Sequence, residues 1–152
     1  MDATLLPPPS GTLERGLHRF PVRVYYEDTD AGGIVYHASY LRFFERARTE
    51  LLRLLGIHQG AASDAGEGVY AVADLAIRYA VPARLDDTLT IETRALEIRA
   101  ASVRAHQRAL RGDTLVAEQT VRVGFIGPDG RPRRQPAAWR AALEQFNPEE
   151  PA

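Results

Sequence analysis

Between residues 40 and 55 the apolar side chains Tyr40, Phe43, Phe44, Ala47, Leu51, Leu54 and Leu55 recur at helical spacing. Such a stripe has to be buried against another layer of structure. Arg42, Glu45, Arg46, Arg48, Thr49, Glu50 and Arg53 fill the remaining positions. Ser39 stands where a helix is capped and Gly56 where one ends in the left-handed conformation, so the spacing predicts a helix over 39–55. On either side the period is two. Phe20, Val22, Val24 and Tyr26 alternate with Pro21, Arg23 and Tyr25, which predicts a strand over 20–26. Further strands are predicted over 69–79, 86–98, 102–111 and 114–126.

In the first of these, Val69, Ala71, Ala73, Leu75, Ile77 and Tyr79 are expected on one face, with Tyr70, Asp74 and Arg78 on the other. In the second, Leu89 and Ile91 are out of phase with Leu96 and Ile98, which predicts a bulge between the pairs or burial on both faces. In the last, Leu115, Ala117, Val121, Val123 and Phe125 share a face. Gly112-Asp113 and Asp129-Gly130 mark turns, and residues 56–68 read as a loop with a short helical turn. One strand, one long helix and four strands in meander make an α+β domain with the helix on one face of an antiparallel sheet.

The 152 residues are expected to form one domain. Residues 1–18 read as a disordered tail, since Pro7, Pro8, Pro9, Ser10 and Gly11 seed neither helix nor central strand. Residues 19–135 hold the domain, and 136–152 form a C-terminal extension with a short helix from about 137 to 146.

The chain has no cysteine, and all 19 of its basic residues are arginine. Disulfides, thiolate nucleophiles, Schiff bases and a P-loop lysine are thereby excluded. A net charge of −1 gives no global pull toward nucleic acid. No apolar run is long enough for an integral membrane segment. The N-terminus lacks the basic and apolar regions of a secretion signal, so a cytoplasmic location is expected.

The densest chemistry lies in 25-YYEDTDAGGIVYH-37. Counted from Asp28, a calcium loop would need oxygen ligands where Gly32 and Ser39 stand, and His37 has no neighbouring pair of zinc ligands, so no metal is expected. The amides of Asp30-Ala31-Gly32-Gly33 could cradle an anion, but Glu27, Asp28 and Asp30 repel a phosphate. A neutral carbonyl that turns negative only in a transition state suits them better. An acid among Tyr25, Tyr26, Tyr36 and Tyr40 is expected to be desolvated, as groups at functional sites often are.

The stretch VRVYYEDTDAGGIVYHASYLRFFERARTELLRLLGI, together with YAVPARLDDTL at 79–89, resembles the hot-dog-fold acyl-CoA thioesterases of the 4-hydroxybenzoyl-CoA thioesterase type. Within them it is most similar to the bacterial subgroup associated with the Tol–Pal envelope system, and the likeness spans about residues 20–128. It implies a hot-dog fold, a five-stranded antiparallel sheet wrapped around one central helix. It also implies hydrolysis of an acyl-CoA thioester without a cofactor, by homodimers that pair into homotetramers. An acyl carrier protein is an alternative thioester donor. Matched residue by residue, the resemblance makes Asp30 the catalytic carboxylate, nucleophile or general base, and assigns His37 to the same centre.

The residues agree with a carboxylate mechanism, since there is no GxSxG serine. Gly32 and Gly33 allow close backbone approach to a substrate, and Tyr36 and Tyr40 are expected to bind it beside them. Arg131 and Arg133 are candidates for the coenzyme A phosphates. Asp28 reads as a turn or cap residue, and Glu45 as an ion-pair partner of Arg46 or Arg48. Two other classes stay open: a non-catalytic acyl-CoA or acyl-carrier binding module, and a hot-dog enoyl-thioester hydratase or dehydratase.

Overall fold

The computed structural model of the protein describes residues 5–147. The ends of the expected tail and extension, residues 1–4 and 148–152, lie outside the described residues. The elements in chain order are β1 (Thr12–Glu14), β2 (Leu17–Arg23), α1 (Ser39–Leu54), α2 (Gln59–Asp64), β3 (Val69–Tyr79), β4 (Thr88–Ile98), β5 (Ser102–Arg111), β6 (Thr114–Ile126) and α3 (Ala137–Phe146). The strands form one sheet in the order β1-β2-β4-β5-β6-β3, with every pairing antiparallel. This is the α+β hot-dog arrangement, with a sixth strand where five were expected.

That sixth strand is β1, in a segment read from sequence as tail. Arg15 and Gly16 both take positive φ, 50° and 75°, and turn the chain back into β2. Two left-handed residues match the right-handed twist of the flanking strands, the geometry of a tight hairpin. Arginine is uncommon there, so the turn carried no signal beside the proline run. Leu17 and His18 are buried, and the domain therefore starts before residue 19.

The expected meander is corrected too. Of the four strands after α1, only β4-β5-β6 run as consecutive neighbours; β3 pairs with β6 at the far edge, and residues 80–87 carry the chain across to β4. β3 also changes phase, through a bulge between Val72 and Asp74. Tyr70 consequently faces the helices, against Phe125 and Trp139, and not the opposite side as its even number suggested. The phase switch predicted in β4 is present as a register shift between Ala95 and Glu97. Leu89 and Ile91 are fully buried, while Leu96 is 45% exposed.

α1 lies in the hollow of the sheet. Tyr40, Phe43, Phe44 and Ala47 pack on Phe20 and Val22 of β2, Leu89 and Ile91 of β4, and Ala109, Val116 and Ala117. Full burial of each of the two phenylalanines contributes about 2–3 kcal/mol. Farther along, Leu51 meets Ala95 and Phe146, and Ile57 meets Val103 and Leu143. A polar layer divides the two halves. Gln107 donates from Nε2 to the Phe44 carbonyl (2.9 Å) and to Thr93 Oγ1 (3.0 Å). Its Oε1 accepts from Arg48 (3.0 Å) and Gln119 (2.9 Å). Gly56, at φ 80°, ends the helix region as expected, but Ser39 is its first residue and not its cap.

His18 ties the N-terminal segment down. Its Nε2 lies 2.8 Å from the Ser10 carbonyl, an acceptor only, so Nε2 carries the proton. Nδ1 is buried with no partner. A second proton would leave a buried, unbonded N–H. Burial holds the imidazole below its ordinary value, with the Ser10 carbonyl and Glu50 opposing. Below about pH 6.5 the unfolded chain then binds a proton that the folded chain lacks, so stability falls as pH drops toward the depressed folded pKa. The expected outcome is a lower Tm at about pH 5.5 than at about pH 7.5, with part of that drop absent in His18→Gln. Equal pH slopes in the two proteins would contradict this account.

Candidate active site

The acidic loop between β2 and α1 is built on carboxylates with different duties. A single 3-10 turn, Tyr26–Asp28, follows Tyr25. Asp28 is buried; its Oδ2 accepts the Tyr25 N–H (2.8 Å), and its carbonyl accepts from Tyr36 N (2.9 Å) and Ser39 Oγ (3.1 Å). It is a structural acid, the reading its position suggested. Asp30 lies two residues on and is exposed. Its Oδ1 accepts the Gly32 N–H (2.8 Å), its carbonyl accepts the Gly33 N–H (3.0 Å), and its own N–H donates to Ile34 (2.9 Å). Gly33 closes this turn at φ 80°, a conformation that favours glycine. Asp30 Oδ2 makes no hydrogen bond among the described residues.

A second loop, residues 80–87, holds the first in place. Val35 N donates to the Ala83 carbonyl (2.8 Å), Val24 N to Asp87 (2.9 Å) and Asp86 N to Val24 (3.0 Å). Asp87 stiffens that loop by accepting from Arg84 N (2.9 Å) and Arg111 (2.9 Å). The backbone bond from Arg84 does most to hold its carboxyl below the usual range; burial opposes it, and the Arg111 guanidinium adds to the lowering. The motif at 79–89 therefore has a mechanical job beside the acidic loop.

Together the loops frame a cleft of about 400 Å³ lined by Asp30, Ile34, His37, Tyr40, Tyr79 and Pro82, among others. Of the residues singled out in the sequence, Asp30, His37 and Tyr40 meet there. The His37 ring, also exposed, packs against Tyr36 with centroids 4.5 Å apart and edge-on to Tyr79 at 6.4 Å. Tyr40 is buried and 5.6 Å from Tyr79 by ring centroid. Burial raises its phenol pKa, with a backbone bond from Ala83 opposing. Tyr79 was not singled out in the sequence as a site residue; its hydroxyl donates to the His37 carbonyl (2.8 Å). Strand alternation alone could not have shown that the end of β3 lies over the start of α1.

Three expectations are revised. Asp30 is not desolvated in the single chain. Gly32 and Gly33 already donate their N–H groups to Asp30, so they are not free donors to a substrate oxygen. The N–H groups of His37 and Ala38, at the start of α1, donate no hydrogen bond among the described residues. Arg131 and Arg133 lie at the other end of β3: Arg133 bonds the carbonyls of Gly66 (3.1 Å) and Glu67 (2.8 Å), and Arg131 N donates to Asp129 (3.0 Å). One chain therefore does not bring them to Asp30. No cluster of three His or acidic side chains able to hold a metal occurs among the described residues.

Several known proteins are similar to this chain. A Haemophilus influenzae protein, acyl-CoA thioesterase YbgC, is 50% identical over 107 residues, 70% of this chain and 79% of its own. Escherichia coli acyl-CoA thioester hydrolase YbgC is 45% identical over 131 residues, 85% of this chain and 97% of its own. The crystal structure of a probable thioesterase from Bartonella henselae is 37% identical, with a TM-score of 0.76 over 79% of this chain and 99% of that one. A Staphylococcus aureus protein solved with CoA shares the fold at a TM-score of 0.83 and 14% identity, over 93% of this chain and 90% of that one. Residues 24–146 match the thioesterase-like superfamily, and the chain belongs to it.

Proposed function

We propose that the protein is an acyl-CoA thioester hydrolase, with Asp30 as its catalytic carboxylate. The observation that carries the reading is the single cleft shared by Asp30, with one carboxylate oxygen unbonded, and His37 at the start of α1. The activity of the Haemophilus and Escherichia relatives supports it. Asp30 Oδ2 attacks the thioester carbonyl or takes a proton from the attacking water. The negative charge that develops on the carbonyl oxygen meets the free N–H groups of His37 and Ala38 and the positive end of the α1 dipole. The C–S bond then breaks, and coenzyme A leaves as the thiolate that water protonates; where Asp30 is the nucleophile, a water molecule then hydrolyses the mixed anhydride on Asp30, releasing the acid and restoring the carboxylate, and where Asp30 is the base, the acid is released directly. His37, beside Tyr36 and Tyr79, orients the thioester or the water.

Tyr40 and Tyr79 line a cleft suited to short-chain or aromatic acyl groups. Acyl-CoA is the proposed substrate; an acyl carrier protein could deliver the same thioester, and either places the enzyme in the cytoplasm. A hydratase would set His37 opposite a helix carboxylate, but Glu45 and Glu50 line other clefts.

Asp30→Asn keeps the shape but is neither base nor good nucleophile. Its kcat is expected to fall by about 10² or more with folding intact, and Asp28→Asn is expected to lose less. His37→Ala is expected to lower kcat/KM by about 10 to 10³ with little change in Tm, because the ring is exposed. Thiol release from a panel of acyl-CoAs, with mass spectrometry excluding deamidation, checks all three. Near wild-type turnover in Asp30→Asn would remove the acid from its role.

We further propose that β3 pairs with β3 of a second copy. Among the described residues no strand covers this edge, and Val69, Val72, Leu75 and Tyr79 along it are 37–50% exposed. An uncovered apolar edge of this kind is a template for strand pairing. Antiparallel pairing with its own copy would bring the Tyr79 end of one subunit, with its cleft, beside the Val69 end of the other. Arg131 and Arg133 of that second copy would then approach the cleft and its coenzyme A, and dimers would pair into tetramers. Leu75→Arg is expected to shift the sedimentation coefficient to that of a monomer and to lower activity. An unchanged oligomer would exclude this edge.

A further inference from the structure

The segment before β1 is tied down at one end and bare at the other. Ser10 Oγ donates to Glu50 Oε1 of α1 (3.0 Å), and the Ser10 carbonyl accepts from His18 Nε2 (2.8 Å). Gly11, at φ 78°, lies so close to β2 that a Cβ there would collide with the Arg19 carbonyl oxygen. Pro8 and Pro9 are seated in a cleft of about 390 Å³ with Phe20, Arg42, Arg46 and Thr49. Beyond them Leu5 and Leu6 are 85% and 88% exposed and belong to no apolar cluster among the described residues.

Two registers give the direction of the bare end. β1 runs antiparallel to β2, with Thr12 opposite Arg19. The chain before Thr12 therefore travels toward the Arg23 end of β2, the end that enters the acidic loop. Over α1 it passes from Glu50 to the level of Arg42, toward the helix N-terminus. Arg42, Arg46 and Thr49 lie on a helix face that continues back to Ala38. Consecutive prolines favour an extended rod of about 3.1 Å per residue, so Leu5 stands about 12 Å beyond Pro9. The step from Arg42 back to Ala38 is only about 6 Å along the helix. The tip therefore reaches the start of α1.

The surface within that reach is aromatic and uncovered. Tyr25 and Tyr36 are both exposed, and both are held at Asp28: Tyr25 N donates to its carboxylate (2.8 Å) and Tyr36 N to its carbonyl (2.9 Å). Ser39 Oγ, at the head of α1, donates to the same carbonyl (3.1 Å). Tyr36 packs against His37, with ring centroids 4.5 Å apart. One exposed ring or leucine is ordinary; two rings and two adjacent leucines within reach of each other are matching apolar surfaces.

We propose that residues 5–11 are a closing arm: fixed at Ser10 and Gly11, it lays Leu5 and Leu6 onto Tyr25 and Tyr36 and covers the His37 end of the cleft. The proline spacer keeps closure inexpensive, because little chain freedom remains to be lost. The closed tip gives a bound thioester an extra apolar wall. That role in binding rests on the thioesterase reading; closure itself does not.

The chain has no cysteine, so disulfide trapping has no background. Leu6→Cys with Tyr25→Cys is oxidised in the full chain, beside a control of Leu6→Cys with Gln145→Cys, an exposed position on α3. A disulfide needs the two Cα atoms within about 7 Å. The bond within one chain, read by mass spectrometry, is expected to form at least about 10-fold faster in the first pair, from the higher effective concentration of its thiols. In thiol-release assays, Leu5→Asp combined with Leu6→Asp is expected to raise KM for acyl-CoA about 10-fold with kcat within about 3-fold, since the arm touches bound substrate and not the reacting atoms. Both positions are exposed, so Tm is expected to stay unchanged. Equal trapping rates in the two pairs would overturn the arm whatever the activity. An unaltered KM in the double Asp variant would overturn its part in binding. Fast trapping in a chain that releases no thiol from any acyl-CoA would uphold closure and count against the thioesterase reading instead.

Discussion

The structure depends on an apolar helix held inside a curved sheet. Phe43, Phe44 and Ala47 are completely buried, which requires β2, β4, β5 and β6 to bend around α1. Bending comes from irregularities that the sequence contains: the shifts in β3, in β4 and between β5 and β6. A bulge adds a residue on one strand and increases the local twist. Gln107 then fixes where along the groove the helix sits, because its amide reaches the Phe44 carbonyl from the floor of the sheet. Sliding α1 by one turn would strand that amide in a dry interior, where an unmet polar group costs about 1–3 kcal/mol.

A helix fixed in register fixes its own N-terminus, and the candidate active site is assembled there. Asp28 and Asp87 carry the structural work, one bracing the 3-10 turn and the other the crossing loop from β3 to β4. Asp30, flanked by both braces, has one oxygen bound and one free. Three acids within one short segment are thus divided between scaffold and chemistry by the hydrogen bonds available to each, and their charge alone does not distinguish them. The turn from Asp30 to Gly33 consumes the glycine amides, which leaves the amides of His37 and Ala38, just before α1, without a hydrogen bond among the described residues.

Much of this was legible in the residues. The stripe from Tyr40 to Leu55 predicts α1, and the out-of-phase leucines and isoleucines of β4 predict its bulge, because periodicity is a local property of burial. The duty of Asp28 and the meeting of Asp30, His37 and Tyr40 follow from the same short loop. What the sequence concealed is non-local. Which edge β3 occupies is decided by the crossing at 80–87, whose length also suits a neighbouring strand. The bulge at Val72/Asp74 reverses the face of Tyr70 through a single extra residue in an otherwise regular alternation. Arg133 reads as a free surface cation until the chain brings the Gly66 and Glu67 carbonyls to it. The β1 hairpin turns on Arg15 in a left-handed conformation, a position that ordinary turn rules assign to glycine or asparagine.

The polar layer across Thr93, Gln107 and Gln119 has a consequence for the division of the molecule. On one side the core is filled by aromatic and branched side chains, down to the completely buried Phe43 and Ile91. On the other, Ala95 and Ala105 face α1 and α3 across a void. A chain selected only for stability would fill that space, since each missing methylene forfeits about 1 kcal/mol of packing. The filled half carries the helix N-terminus and the loops, where small displacements would misplace a reacting group. Gln107 holds the Phe44 carbonyl, and Phe44 is one turn from Tyr40 in the cleft. The layer that sets the register of α1 therefore also fixes where Tyr40 stands in the cleft.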